Sequence, residues 1–315
     1  MSGTRLFGSN ARTEALVSPD WPSIENGMTP STALATVELR RAYIPEAPAL
    51  VIEGPDDLKL FNKLTREDCI VVPAGNRDGV VDAIQRANDR GMGLVLGVID
   101  RDYADFREEE RPDNLVMTDF NDIEVMLILS AALSSFVLES LGHQKCTIDV
   151  GGRTADLASY VLAGVSIIGQ LRLVKHEQLP NLNFNGLRFR NHLAEGSLTL
   201  KAQSVTDELA RRSRCAPSAD ELDRMREEVE LRKIPATMLA CGHDAVQYLC
   251  IVIESGALGA PLRRFGERDC AALMRSAYHP TDFRRSGLCR SIVEWCSQNN
   301  AEMLVSEALP EAAEC

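Results

Sequence analysis

The sequence predicts an α/β protein, a parallel β-sheet with helices on both faces joined to a mainly α-helical C-terminal region. Three observations carry this reading. Short apolar runs rich in β-branched residues recur in the first 120 residues, as in ALVIE (49–53), CIVVP (69–73) and LVLGVID (94–100). Stretches with helical spacing separate these runs, and strands that alternate with helices and are apolar throughout form parallel sheets covered on both sides. Past about residue 150 the apolar runs lengthen and take on helical spacing.

Taken in order, residues 1–32 are rich in Ser, Asn, Pro and Gly and are expected to form an arm, followed by an α/β domain over 33–148. TALATVELRRAY, from residue 33, suits either a short helix or a strand. The run at 49–53 reads as a buried strand stopped by Gly54-Pro55. An Asp at 56 or 57 is the expected N-cap of a helix carrying Leu58, Phe61 and Leu64 on one face. A second strand at 69–73, a helix over 80–91 closed by Gly91, and a third strand at 94–100 follow. LVM (115–117) is the fourth strand, and one helix is expected from near Asn121 to Gly142.

The helical region covers 149–315. A long apolar helix with a break near Gly164 or Gly169 is expected first. Asn185-Gly186 carries the hairpin signal, and Ser218-x-x-Glu221 is a capping box. Further helices are expected at about 244–255, 266–277 and 287–298.

Of the 315 residues, 46 are Asp or Glu and 34 Lys or Arg, a net charge of −12 that argues against coating nucleic acid by bulk electrostatics. No run of about 18 apolar residues points to a membrane span. The N-terminal stretch lacks the apolar segment of a signal peptide. None of the nine cysteines forms a C-x-x-C pair, so reduced thiols in a cytoplasmic protein are expected. There is no Gly-Lys pair, hence no Walker motif for ATP hydrolysis.

The charge is not evenly spread. Between Asp100 and Glu124 ten acids face three bases, a net of −7 in 25 residues. Glu53 in VIEGPDD and Asp100 and Asp102 in VIDRDY stand at the ends of separate predicted strands, and Asp119, Asp122 and Glu124 follow in TDFNDIE. Ligands of parallel sheets gather beyond the carboxyl ends of the strands. Carboxylates crowded there repel unless a cation lies between them. Mg²⁺ or Mn²⁺ would supply that charge and leave positions open for phosphate oxygens. The plainer reading makes these acids helix caps and solvated loop, as Glu108–Glu110 are expected to be.

A strand ending in Glu-Gly, a helix, and a strand ending in Asp-x-Asp resemble the TOPRIM domain of topoisomerases, primases and the overcoming-lysogenization-defect nucleases. VIEGPDDLKLFNKL and GVIDRDY are the matching segments, with PAGNRDGVVDAI between them. The chain further resembles a TOPRIM-like bacterial family of anti-phage defence effectors through CGHDAVQYL (241–249) and LMRSAYHPTDFRRSGLCRSIVEW (273–295). The resemblance implies a Mg²⁺- or Mn²⁺-dependent nuclease acting on RNA, tRNA among them, or on DNA. Glu53 would be a general acid/base or metal ligand, Asp100 and Asp102 metal ligands, and Glu124 the additional acid, with Asp119 competing for that role. His243 would serve as a proton shuttle or phosphate contact; otherwise Gly242 is a helix breaker and Asp244 an N-cap. The basic residue that assists many TOPRIM nucleases has no unambiguous counterpart.

Residues 260–295 carry a net +3, and Arg263, Arg264, Arg284 and Arg285 are its candidates for binding a nucleic-acid backbone. A solvated, ion-paired surface explains them equally well. The expected partners are the nucleic-acid substrate and a separate ABC-type ATPase, with a homodimer left open and no membrane. The competing functional reading is a non-catalytic regulatory or adaptor subunit of such an ATPase complex; a primase-like nucleotidyl transferase is a third.

Overall fold

A computed structural model describes residues 27–106, 111–142, 146–214, 217–259 and 265–310. The predicted arm up to residue 26, Glu108–Glu110, Arg263 and Arg264 lie outside these residues. Four short strands, β1 (Ala49–Ile52), β2 (Ile70–Pro73), β3 (Val95–Ile99) and β4 (Leu115–Met117), pair in parallel in the order β2-β1-β3-β4. All four coincide with the apolar runs. The protein is thus α/β with a Rossmann-like parallel sheet, and most of the remaining chain is helical.

Helix α1 (Pro30–Arg41) precedes the sheet, α2 (Pro55–Leu64) and α3 (Arg77–Asp89) lie between strands, and α4 (Ile123–Ile128) and α5 (Ala131–Leu141) follow β4. Side chains alternate across each strand. Leu50, Ile52, Leu96 and Val98 face α2, α4 and α5, whereas Ala49, Val51, Val95 and Ile99 face α1 and α3. The chain leaves β1 over one face to reach β2 and leaves β2 over the other to reach β3. β1 and β3 therefore flank the point where the strand order reverses, and a crevice opens there beyond their carboxyl ends.

A hairpin of β5 (Thr147–Val150) and β6 (Arg153–Asp156), turning on Gly151-Gly152, leads into the helical half. There follow α6 (Leu157–Gly164), α7 (Ser166–Glu177), α8 (Ala202–Arg212), α9 (Ala219–Leu231), α10 (Ala236–Leu239), α11 (Gly242–Glu254), α12 (Glu267–Ala277), α13 (Pro280–Phe283) and α14 (Gly287–Gln298). Their apolar faces join those of α2, α4 and α5 in one continuous core. Among the described residues no single helix is long and apolar enough to cross a membrane. The pair α6 and α7 has the length but bends by 48°, and Leu157, Val161, Leu171 and Val174 are fully buried in the protein core.

Of the two forms open to the segment from 33, the helix is the one present. Three expectations are corrected. The helix after β4 breaks into α4 and α5 because Ser130 caps the second, its side chain accepting from Ala132 N–H at 3.1 Å. Asn185-Gly186 makes a turn without flanking strands, and the hairpin forms instead at Gly151-Gly152. The N-cap of α2 is Gly54, because Asp57 lies one turn inside and its carboxylate reaches back to Gly54 N–H at 2.9 Å.

Candidate active site

The crevice beyond β1 and β3 is lined by carboxylates that local structure holds in place. Glu53 follows β1, and its Oε1 accepts from Asp100 N–H, just after β3, at 2.8 Å. Asp100 Oδ1 accepts from Ile123 N–H, at the start of α4, at 3.2 Å. Asp122 caps α4 through Val125 N–H at 3.0 Å, and its second oxygen accepts from Gly242 N–H, at the start of α11, at 2.5 Å. Four elements thereby converge on one cluster.

Burial and mutual repulsion set its electrostatics. Burial pushes the Glu53 carboxyl up to about 7, with Asp102 and Asp57 adding repulsion and the Asp100 N–H opposing it. Burial likewise raises Asp57 to about 6, helped by the charges of Glu124 and Asp56. Asp100 is held well above the carboxylate range by burial and by its acidic neighbours Asp122, Glu53, Asp57 and Glu124. Asp122 shifts the same way through burial and Glu124, and Asp102 through burial, with Arg77, Arg172 and His243 opposing. Six acids thus interact: Glu53, Asp57, Asp100, Asp102, Asp122 and Glu124.

Backbone strain marks the same place. Asp102 and Tyr103 have φ of 43° and 64°, a left-handed conformation costly for residues with a Cβ. Asp102 N–H donates to Asn121 O at 3.0 Å, and the Tyr103 hydroxyl donates to Leu239 O at 2.8 Å, which hold the turn in this form. Arg101, between the two acids, points away and pairs with Asp105 at 2.8 Å.

The helical half closes the crevice. A Cβ on Gly242 would lie 2.3 Å from Asp122 Oδ1 and 2.3 Å from the Glu124 Cβ, so only glycine lets α11 approach. Gly242, the first residue of α11, is therefore a packing residue as well as a helix boundary. Asp244 is not the cap: it is buried and forms a two-pronged pair with Arg172 of α7, at 2.5 and 2.9 Å. His243, between them, is exposed, and its charge acts on both Asp56 and Asp102. It stands at the rim of the cluster.

Of the expected site residues, Glu53, Asp100, Asp102 and Glu124 are brought together. Asp119 is not. Both of its oxygens accept from the start of α14, Gly287 N–H and Leu288 N–H, each at 2.6 Å. Arg284 caps the C-terminus of α13, and Arg285 is exposed beyond it. Sequence reasoning missed Asp57 and Asp122, read only as caps or crowding, and it missed a cation. Arg275 of α12 is buried, with Nη2 at 3.0 Å from Asp56 Oδ2 and Nη1 at 3.6 Å from Glu124 Oε1. Lys63 of α2 donates to the carbonyls of Arg275 and Tyr278, which ties this part of α12 to the crevice. The sequence signal for Arg275 was its place beside Met274 in the buried stripe of α12.

Among the described residues no group of three or more His, Cys, Asp or Glu side chains is arranged to hold a metal ion. Mg²⁺ characteristically takes only one or two protein carboxylates and fills its shell with water and phosphate oxygens. The donor chemistry fits such an ion. All six cluster residues offer hard oxygens, and the acids carry more mutual repulsion than Arg275 relieves. The sequence matches no protein-family model and no curated protein.

Proposed function

We propose that this protein is a metal-dependent nuclease of the TOPRIM type, cleaving phosphodiester bonds in RNA or DNA with Mg²⁺ or Mn²⁺. One observation carries the reading: Glu53 and Asp100, at the carboxyl ends of adjacent central strands, share a hydrogen bond inside a cluster of six interacting acids. Helix caps alone do not require buried Asp122 and five half-buried acids gathered so closely that repulsion adds to burial in raising Glu53, Asp57, Asp100 and Asp122. When bound, a divalent cation would polarise the scissile phosphate and lower the pKa of an attacking water.

In this reading Asp100 and Asp102 hold the metal, and Glu124 with Asp122 completes its surroundings. Glu53, held by the Asp100 N–H at 2.8 Å, would accept or return a proton during the reaction. Arg275 offsets part of the negative charge and places Glu124. His243, exposed at the rim, is positioned to meet a phosphate or relay a proton.

With no Walker motif in the chain, the reading assigns ATP hydrolysis to a separate ABC-type ATPase that restrains or releases the nuclease. The protein would then act in the cytoplasm as an effector of anti-phage defence. The test is cleavage of tRNA, single-stranded RNA and DNA with Mg²⁺ or Mn²⁺, by the parent chain and by Glu53→Ala, with and without the ATPase. Loss of metal-dependent cleavage in the variant supports the proposal, and cleavage that survives contradicts it.

A further inference from the structure

Beside the carboxylate cluster lies a second cleft of about 470 Å³, between the turn after β3 and the last turns of α7. Asp102 stands on its wall, so the cleft opens onto the cluster. Arg77, Arg172, Lys175 and His176 line it as well, with Asp78 adding a second acid. Arg172 is matched by buried Asp244. Arg77 donates to the Asp100 carbonyl at 2.6 Å and so projects from the floor of the crevice. Lys175 lies over the Phe184 ring at 5.9 Å, and among the described residues no carboxylate pairs with it.

A second observation is independent of this charge. Asn121 lines the same cleft and is 1% exposed, yet neither its side-chain oxygen nor its nitrogen has a hydrogen-bond partner. Its backbone is fully engaged: the N–H donates to Thr237 O at 3.3 Å, and the O accepts from Asp102 N–H. Leaving a buried amide unmatched costs about 1–3 kcal/mol, so such a group calls for a partner that arrives from outside. An amide presents one donor and one acceptor side by side, which matches the edge of a nucleobase or a ribose hydroxyl.

We propose that this cleft seats one unpaired nucleotide of the substrate strand, next to the scissile phosphate. Lys175 and Arg77 would meet its phosphate, and Asn121 its base or sugar. The inference rests on the nuclease reading and narrows it. Pockets of roughly 300–1,000 Å³ hold single small ligands, a range that suits one nucleotide. With a net charge of −12 the chain is poorly suited to gripping long nucleic acid, and a local subsite fits that balance.

The experiment measures binding of a short fluorescent oligonucleotide to the full chain in Ca²⁺ buffer at several salt concentrations. Unpaired RNA, unpaired DNA, the corresponding duplex and a free nucleoside monophosphate are compared, and thermal melting confirms that the variants fold. Lys175→Ala is expected to weaken single-strand binding about tenfold and to reduce the salt slope by about one. Asn121→Ala, or Asn121→Ser should the alanine variant fail to fold, is expected to weaken binding severalfold with the slope unchanged. Parent affinity in both folded variants overturns the proposal, as do tighter binding of duplex than of single strand, equal affinity for the free monophosphate, and no binding by the parent. Cleavage abolished by Glu53→Ala but untouched by Lys175→Ala and Asn121→Ala removes the subsite and leaves the nuclease standing. Binding lost in both variants of a chain that never cleaves does the reverse.

Discussion

The carboxylate of Glu53 accepts a hydrogen bond from the backbone N–H of Asp100 at 2.8 Å, across the ends of β1 and β3. The two acids are 47 residues apart in the chain, and the parallel register that sets Ala49 opposite Val95 brings them together. Sheet pairing therefore fixes the geometry of the cluster.

The cluster should make the metal-free protein less stable as pH rises. Glu53 titrates near 7 in the folded chain against an ordinary 4.5, and Asp57 near 6 against 3.8. Between these limits the folded state holds protons that the unfolded chain has lost. Stability is then full below about pH 4 and falls as pH climbs to about 7. Melting in EDTA is expected to show a Tm lower by roughly 5 °C at pH 8 than at pH 5. Millimolar Mg²⁺ should restore more stability at pH 8 than at pH 5, because protons compete for the same oxygens.

Gly242→Ala tests the close approach of α11. Its Cβ would meet Asp122 Oδ1 and the Glu124 Cβ at 2.3 Å, and neither can move without disturbing α4. The expected cost is about 1–3 kcal/mol in urea unfolding, with weakened Mg²⁺ stabilisation. Stability equal to the parent would show that the contact is loose.

Arg172→Leu leaves Asp244 buried without its partner. Chemical denaturation is expected to register a loss of about 3–5 kcal/mol. Adding Asp244→Leu should recover a large part of it, since the unpaired charge is then gone. No recovery in the double variant would mean that Arg172 acts mainly through its stacking on Phe184, 4.6 Å away.

The parallel sheet was legible because its two central strands are buried on both faces and all four strands read as apolar runs. Glu53, Asp100 and Asp102 were legible for a related reason, as the first acids after those runs. Asp119 misled because its spacing resembles that of Asp122 and Glu124, while the partner that claims it, the start of α14, lies more than 160 residues on. Gly242, Arg172 and Arg275 could not be placed because their partners come from tertiary packing of the helical half, which no local pattern reports. Asp57 and Asp122 were hidden by their capping role; each is also a member of the cluster.

The central claim is that Glu53 and its neighbours cut phosphodiester bonds with a bound divalent cation. Its most direct measurement is the cleavage rate of tRNA and single-stranded DNA by purified parent chain and by Glu53→Ala, each with Mg²⁺ and with EDTA. Metal-dependent cleavage by the parent is expected, with a loss of about 10²- to 10⁴-fold in the folded variant. Cleavage that persists in EDTA, or that Glu53→Ala leaves at the parent rate, would contradict it.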